Sequence, residues 1–215
     1  MRIAYLRPAT RAEGPGSRIA IWTQGCSIKC PSCFNPELWS VRGGSEYSPS
    51  ELAEVVSSMI ELDPDIEGVT FLGGEPFDQP GELGLAAGLI RRLGLSVMTF
   101  TGFYLKDLAV SNDAGVAKLL AETDLLVDGP FIQDLLDQSR PWLGSSNQNF
   151  HFLSDRYSAK DVEFRDALEI SVKTDGSVSL NGWAPTSQIE QLLEILTPET
   201  ELVKTRRTVT RTIRH

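Results

Sequence analysis

The sequence predicts an α/β fold built on a parallel sheet. Two features predict it: short β-branched or apolar runs alternate with stretches whose apolar residues recur at helical spacing, and glycine-containing turns close most of the strand-like runs. Strand, loop and helix in repetition imply parallel strands joined by right-handed crossovers. A chain of 215 residues with 41% hydrophobic content suits one such domain, expected over residues 1–215.

Arg2 to Leu6 reads as a first strand, followed by a loop from Arg7 to Ser17 that contains Glu13-Gly14-Pro15-Gly16. Arg18 to Gln24 is a second strand, rich in β-branched and aromatic residues, and it runs into Gly25-Cys26-Ser27-Ile28-Lys29-Cys30-Pro31-Ser32-Cys33. Ser48-Pro49-Ser50-Glu51 is a capping box with proline at the first helical position. Leu52, Val55, Val56, Met59 and Ile60 continue that helix. Gly68 to Leu72 is a strand ending in Gly73-Gly74-Glu75-Pro76. A helix carrying Leu83, Ala86, Ala87, Ile90 and Leu93 stops at Gly94. Leu95 to Phe100 is a strand ending in Thr101-Gly102-Phe103. A helical stretch with Val116, Leu119 and Leu120 leads to the strand Asp124–Val127 and then to Asp128-Gly129-Pro130-Phe131. After a polar connection, Gly144-Ser145-Ser146-Asn147-Gln148 enters a last strand, Asn149–Leu153.

The final third differs. Ala167–Val172 and Ser177–Leu180 flank Thr174-Asp175-Gly176, a hairpin signal, and Ile189, Leu192, Leu193 and Leu196 line a helix face that Ser187 and Glu190 can cap. The tail from Leu202 carries Lys204, Arg206, Arg207, Arg211 and Arg214 and no acid. It is either a solvated end or a docking surface for an acidic partner.

In parallel α/β folds, ligands gather at the carboxyl ends of the strands. The cysteine loop, Gly73-Gly74-Glu75-Pro76, Thr101-Gly102-Phe103 and Asp128-Gly129-Pro130-Phe131 should therefore converge on one edge of the sheet. The net charge of -9 argues against general nucleic-acid binding. No apolar run reaches the roughly 18 residues of a membrane span, and the first residues show no secretory signal, so a cytoplasmic protein is expected.

Cys26, Cys30 and Cys33 are the only cysteines. Three thiols within eight residues do not make a disulfide framework, whereas thiols kept reduced are available as metal ligands. Three thiolates would leave one iron of a cubane cluster without a protein ligand, and an open position is where a substrate or cofactor binds. A structural zinc site would need His151 or His215 as a fourth ligand, distant in sequence; it stands as an alternative, as do cysteines without a metal.

With these residues in view, the stretch from about Gly14 to Leu153 resembles the radical S-adenosylmethionine superfamily, and within it the glycyl-radical-enzyme activases of the ribonucleotide reductase branch. The resemblance rests on Gly14-Pro15-Gly16-Ser17-Arg18, on C-x3-C-x2-C followed by Asn35-Pro36-Glu37 and Trp39, and on Gly73-Gly74-Glu75-Pro76. Thr101-Gly102-Phe103, Val127-Asp128-Gly129-Pro130-Phe131 and Gly144-Ser145-Ser146-Asn147-Gln148 follow in the family's order. It implies a partial (β/α)6 TIM-type barrel; the β-hairpin plus helix read above from the residues themselves would form a small C-terminal extension over about 154–215.

The resemblance also implies a [4Fe–4S] cluster on Cys26, Cys30 and Cys33. S-adenosylmethionine would occupy the open iron and be cleaved to a 5'-deoxyadenosyl radical that abstracts a hydrogen atom. The implied partners are a glycyl radical enzyme, an anaerobic ribonucleotide reductase, and an electron donor such as flavodoxin or ferredoxin. Gly73, Gly74 and Pro76 would form the cofactor loop, where glycine lets backbone approach a ligand; a plain strand-ending turn is the competing reading. Glu75 would orient that loop. Phe34 would shield the cluster or touch adenine, or pack in the core. Thr101 would contact the cofactor, or act as a cap. Asp128, Asn147 and Gln148 would receive the substrate loop, or satisfy local backbone groups. Met98 and Trp22 are expected in the core.

Two positions depart from the family pattern. Leu143 stands where an arginine usually precedes Gly-Ser-x-Asn-Gln, with Arg140 three residues upstream, and Ser32 stands where many members carry an aromatic residue. Two rival functions remain open at this point: the same radical chemistry on a small, nucleotide-like or peptide substrate, and a non-enzymatic iron–sulfur or zinc binding module. The Gly73–Pro76 segment argues against the second.

Overall fold

The computed structural model describes residues 1–137, 139–163, 168–172, 178–182, 191 and 209–211. Strands β1 (Arg2–Thr10), β2 (Arg18–Thr23), β3 (Ser45–Glu46), β4 (Gly68–Gly73), β5 (Ser96–Phe100), β6 (Leu125–Asp128) and β7 (Asn149–Phe152) form one seven-stranded sheet, ordered β3-β1-β2-β4-β5-β6-β7. β2, β4, β5 and β6 run parallel. Helices α1 (Pro49–Leu62) and α2 (Pro80–Arg92) join β2 to β4 and β4 to β5, and α3 (Leu105–Leu108) with α4 (Ala114–Glu122) joins β5 to β6. The result is a mixed α/β fold with a parallel-rich open sheet, consistent with a partial TIM-type barrel.

The flanks of the sheet are not parallel, contrary to the uniform pattern read from the sequence. β1 pairs antiparallel with β2, and β7 antiparallel with β6. Antiparallel neighbours need no helical crossover to return the chain, and no α-helix lies among the described residues between β6 and β7. β1 also extends to Thr10 rather than stopping at Leu6; its register slips between Arg7 and Thr10, which accommodates Pro8, a residue without an amide to give. The short β3 and α3 offered no periodicity to read.

The expected capping box at α1 is present: Ser48 Oγ accepts from Glu51 N, and Glu51 Oε2 accepts from Ser48 N. Alternation along the strands divides the core in two. Ile19 and Ile21, Val69 and Phe71, Val97, and Leu126 face the helices, against Leu52, Val56, Leu83, Ile90 and Leu119. Ala20, Trp22 and Leu72 pack on the opposite face with partly buried Phe100, as do Met98, Leu125, Val127 and Leu143. Met98 and Trp22 are core residues, as expected.

Arg18 is fully buried, and burial pushes its pKa down. Its guanidinium donates to Thr70 Oγ1, Ser96 Oγ, Tyr157 Oη and the carbonyls of Pro15 and Val69. This density of acceptors is what makes a buried cation tolerable. It ties the Gly14–Gly16 loop and the chain beyond β7 to the amino ends of β4 and β5.

A second sheet, β8 (Leu168–Val172), β9 (Val178–Gly182) and β10 (Val209–Arg211), is antiparallel in the order β10-β9-β8. β8 and β9 pair as the hairpin reading required; the turn Thr174-Asp175-Gly176 lies outside the described residues. So does the expected helix around Ile189 to Leu196, apart from Gln191, together with Ser187 and Glu190 and the tail residues Lys204, Arg206, Arg207 and Arg214. Arg211 lies in β10, paired with Val178. Glu169 on β8 accepts from Thr10 Oγ1 and Arg11 N, each at 2.6 Å, and so joins the small sheet to β1.

Candidate metal centre and cofactor cleft

The loops that follow β2, β4, β5 and β6 converge as the parallel core requires. They line one open cleft whose empty space, counting the part open to solvent, is about 760 Å³. Cys26, Cys30 and Cys33 all line it, with Phe34, Gly73, Gly74, Glu75, Thr101 and Gln148. Pro76, Asp128 and Asn147 do not.

The cysteine loop is closed at its base by Gly25 N donating to Leu38 O and Cys26 N to Trp39 O. Lys29 and Ser32 within it adopt positive φ, 50° and 61°. Two non-glycine residues in that region mark a loop held in shape by its surroundings. Ser32 is exposed. Burial pushes the Cys26 and Cys30 thiols up, against backbone amides that favour the thiolates: those of Lys29 and Ile28 at Cys26, and that of Phe131 at Cys30. No three His, Cys, Asp or Glu side chains among the described residues form a group that would hold a single metal ion. The thiols instead line one shared cleft, and a multi-iron cluster would suit them there, since each thiolate would bind a different iron.

The glycine pair is fixed by the cysteine loop. Gly74 N donates to Thr23 O and Glu75 N to Gly25 O. A Cβ on Gly74 would sit 2.1 Å from Gly25 O, and one on Gly73, at φ 103°, would sit 2.7 Å from Trp22 Cβ. Glu75 is buried, and its carboxylate accepts from Phe77 N, Thr101 Oγ1 and Gly102 N, each at 2.8 Å. Burial outweighs these donors and pushes its pKa up to about 7. Glu75 therefore bolts the loop after β4 to the loop after β5. Thr101 is committed to the same bolt: its hydroxyl donates to Glu75 and accepts from Phe103 N, although the residue also lines the cleft. Phe34 packs on Phe131 with ring centroids 4.8 Å apart, both on the cleft wall.

The residues expected to receive a substrate are mostly occupied within the protein. Asp128 is buried on the helix side, accepting from Leu105 N and Asn149 Nδ2. His151 Nε2 lies 2.9 Å from its Oδ2, close enough for an ion pair but without hydrogen-bond geometry. Asn147 donates to Pro130 O, while Gln148 donates to Gly129 O and accepts from Gly144 N and Ser145 N. Arg140, upstream of the departing Leu143, is spent on the same loop: it donates to Asp137, to Gln148 O and to Ser145 O. Leu143 is buried in the core.

Sequence reasoning missed the aromatic wall of Phe100, Phe131 and Trp142. Trp142 has φ 59°, and Leu143 N bonds to Pro141 O across it. It also missed Asp78, whose two carboxylate oxygens accept from Ser27 N at 2.6 Å and Ser27 Oγ at 2.7 Å.

Three thiols and a paired-glycine loop at the carboxyl ends of parallel strands define a radical S-adenosylmethionine-type domain. Residues 12–151 match a family model described as a 4Fe-4S single cluster domain. The anaerobic ribonucleoside-triphosphate reductase-activating protein of Escherichia coli strain K12 is 30% identical over 151 residues, 68% of this chain and 95% of the relative. Its namesake in Vibrio cholerae is 30% identical over 149 residues, 67% and 93% of the two chains, and that of Enterobacteria phage T4 is 26% identical over 153 residues, 69% and 92%. The chain belongs to this 4Fe-4S single cluster family, among the radical S-adenosylmethionine activating enzymes.

Its cofactors are accordingly a [4Fe–4S] cluster and S-adenosylmethionine, and the cleft's chemistry fits both. Thiolates suit iron, and among the described residues the cleft lining contains one carboxylate and no lysine or arginine, which suits a sulfonium cation. No helix among the described residues is long and apolar enough to cross a membrane.

Asp78 makes a first prediction. Asp78→Ala frees the start of the cysteine loop from two hydrogen bonds. Because the site is exposed, the stability loss should be small, about 1 kcal/mol, yet cluster retention should fall about two- to five-fold, because the loop holding Cys26 loses its anchor. Iron and sulfide per chain after reconstitution, measured beside a thermal melt, decides this. Wild-type iron content would show that Asp78 does not support the loop.

Proposed function

We propose that this enzyme generates a glycyl radical on an anaerobic ribonucleotide reductase. The observation that carries the proposal is the convergence of the strand-end loops on a cleft lined by three thiols, in a chain whose relatives are named activating proteins of that reductase. Cys26, Cys30 and Cys33 would hold the cluster. When bound, the cluster and S-adenosylmethionine supply the one-electron cleavage and the hydrogen-abstracting 5'-deoxyadenosyl radical.

The chain's own residues bind, orient and shield. Backbone groups of Gly73 and Gly74 receive the methionine end of the cofactor. Glu75 and Thr101 hold the two neighbouring loops at fixed spacing. Phe34, Phe100, Phe131 and Trp142 give the cleft an apolar wall. Gln148 and Arg140 keep the loop that carries Trp142 rigid. A flavodoxin- or ferredoxin-type protein supplies the electron.

The test is anaerobic. Cluster-loaded enzyme with reductant and S-adenosylmethionine should yield 5'-deoxyadenosine, and adding the reductase should produce a glycyl radical signal by electron paramagnetic resonance. Absence of 5'-deoxyadenosine would remove the radical chemistry; its presence without a glycyl radical would remove the partner.

A further inference from the structure

Large exposed hydrophobic residues lie mostly one or two at a time along the described chain, as at Leu62 and Val110, and single ones need no explanation. One group is different. Ile132, Leu135 and Leu136 fall within five consecutive positions and are each 36–42% exposed. They directly follow Phe131, which lines the cleft.

This segment is not a loose loop. Ile132 N donates to Ser145 Oγ, Ser146 N to Leu135 O and Asp137 N to Gly144 O, and Leu136 bridges to Ser145. Arg140 clamps Asp137 to the carbonyls of Ser145 and Gln148. Three apolar side chains, each partly exposed, are thus held at the surface by a rigid lip. A clustered apolar surface beside a cleft marks an interaction site, and a preorganised one loses little entropy on binding.

The occupant follows from continuity. Phe131 and Gly144 belong to both the cleft wall and the lip, so a macromolecule whose reacting group sits in the cleft covers the lip with the surface around that group. A small molecule filling the cleft would leave the lip bare. We propose that Ile132, Leu135 and Leu136 form the docking lip for the partner protein, contacting apolar side chains that flank its glycine-bearing segment. The inference rests on the glycyl-radical reading above, and it adds a protein-binding surface outside the cofactor cleft.

The experiment uses cluster-loaded enzyme and the intact reductase. The rate of glycyl radical formation is measured against reductase concentration for wild type, for the triple variant Ile132→Ser, Leu135→Ser, Leu136→Ser, and for a control, Leu62→Ser with Val110→Ser. The triple variant should raise KM for the reductase about tenfold and change kcat less than about twofold, because hot-spot contacts at an interface act on affinity. The control should leave KM unchanged. Leu135→Ser alone provides the same reading should the triple variant melt early. An unmoved KM, or an equal rise in the control, overturns the lip while leaving the glycyl-radical reading intact. A wild-type enzyme that makes 5'-deoxyadenosine but no glycyl radical overturns both.

Discussion

Cys30→Ala is expected to abolish 5'-deoxyadenosine formation while leaving the fold in place. Cys30 lines the cleft, is partly exposed, and lies in a loop whose base is closed by bonds that do not involve it. Its loss should cost about 1 kcal/mol, the range of one lost hydrogen bond, here the one from Phe131 N. Two thiolates then remain for a cluster that needs three protein ligands, so activity should fall at least about a hundredfold. Burial raises the Cys30 and Cys26 thiols, so ligation must also displace their protons. Iron content, the absorbance of the reconstituted protein and product chromatography check this together. Undiminished product from the variant would remove Cys30 from the ligand set.

Glu75→Ala should be the most damaging substitution to the fold of the site. It strips the acceptor from Phe77 N, Gly102 N and Thr101 Oγ1 at once. Buried donors left unpaired cost about 1–3 kcal/mol each; with partial relaxation, a total loss of about 3–5 kcal/mol is expected by denaturant titration.

Glu75 also makes stability depend on pH in a defined direction. Its folded pKa, about 7, lies above the ordinary carboxylate value of 4.5. Between these values the native state binds more protons than the unfolded state, so the contribution of Glu75 to stability falls as pH rises. It is largest below the ordinary carboxylate range and lost above about 7. Glu75→Gln cannot titrate, so the stability difference between wild type and Glu75→Gln should shrink as pH rises through this window. A difference independent of pH would mean that the carboxylate stays ionised throughout.

The chemistry of the cleft was legible where it is written locally. Cys26, Cys30 and Cys33 sit within one loop, Gly73-Gly74 closes one strand, and Ser48 with Glu51 announces one helix. What required the fold was everything decided by a second segment. The need for glycine at position 74 comes from the Gly25 carbonyl, 49 residues earlier in the chain. Asp78 matters through Ser27, and no pattern in the sequence joins them. Asp128 sat at the right strand end, but its side chain faces the helices because Val127, one residue before it, faces the other side. The reversal of β7 was hidden for a related reason: strand patterns report burial, not direction.

The bonds from Gly74 and Glu75 to the carbonyls of Thr23 and Gly25 make the cysteine loop and the paired-glycine loop one mechanical body. Binding at either is then an event for both, and thermodynamics makes the coupling mutual. By whatever factor the assembled cluster tightens S-adenosylmethionine, that molecule tightens the cluster in return. Where that factor exceeds one, the cofactor also guards the metal, and at equilibrium a chelator should remove less iron in its presence. Equal iron retention with and without it would mean that the two sites are not coupled.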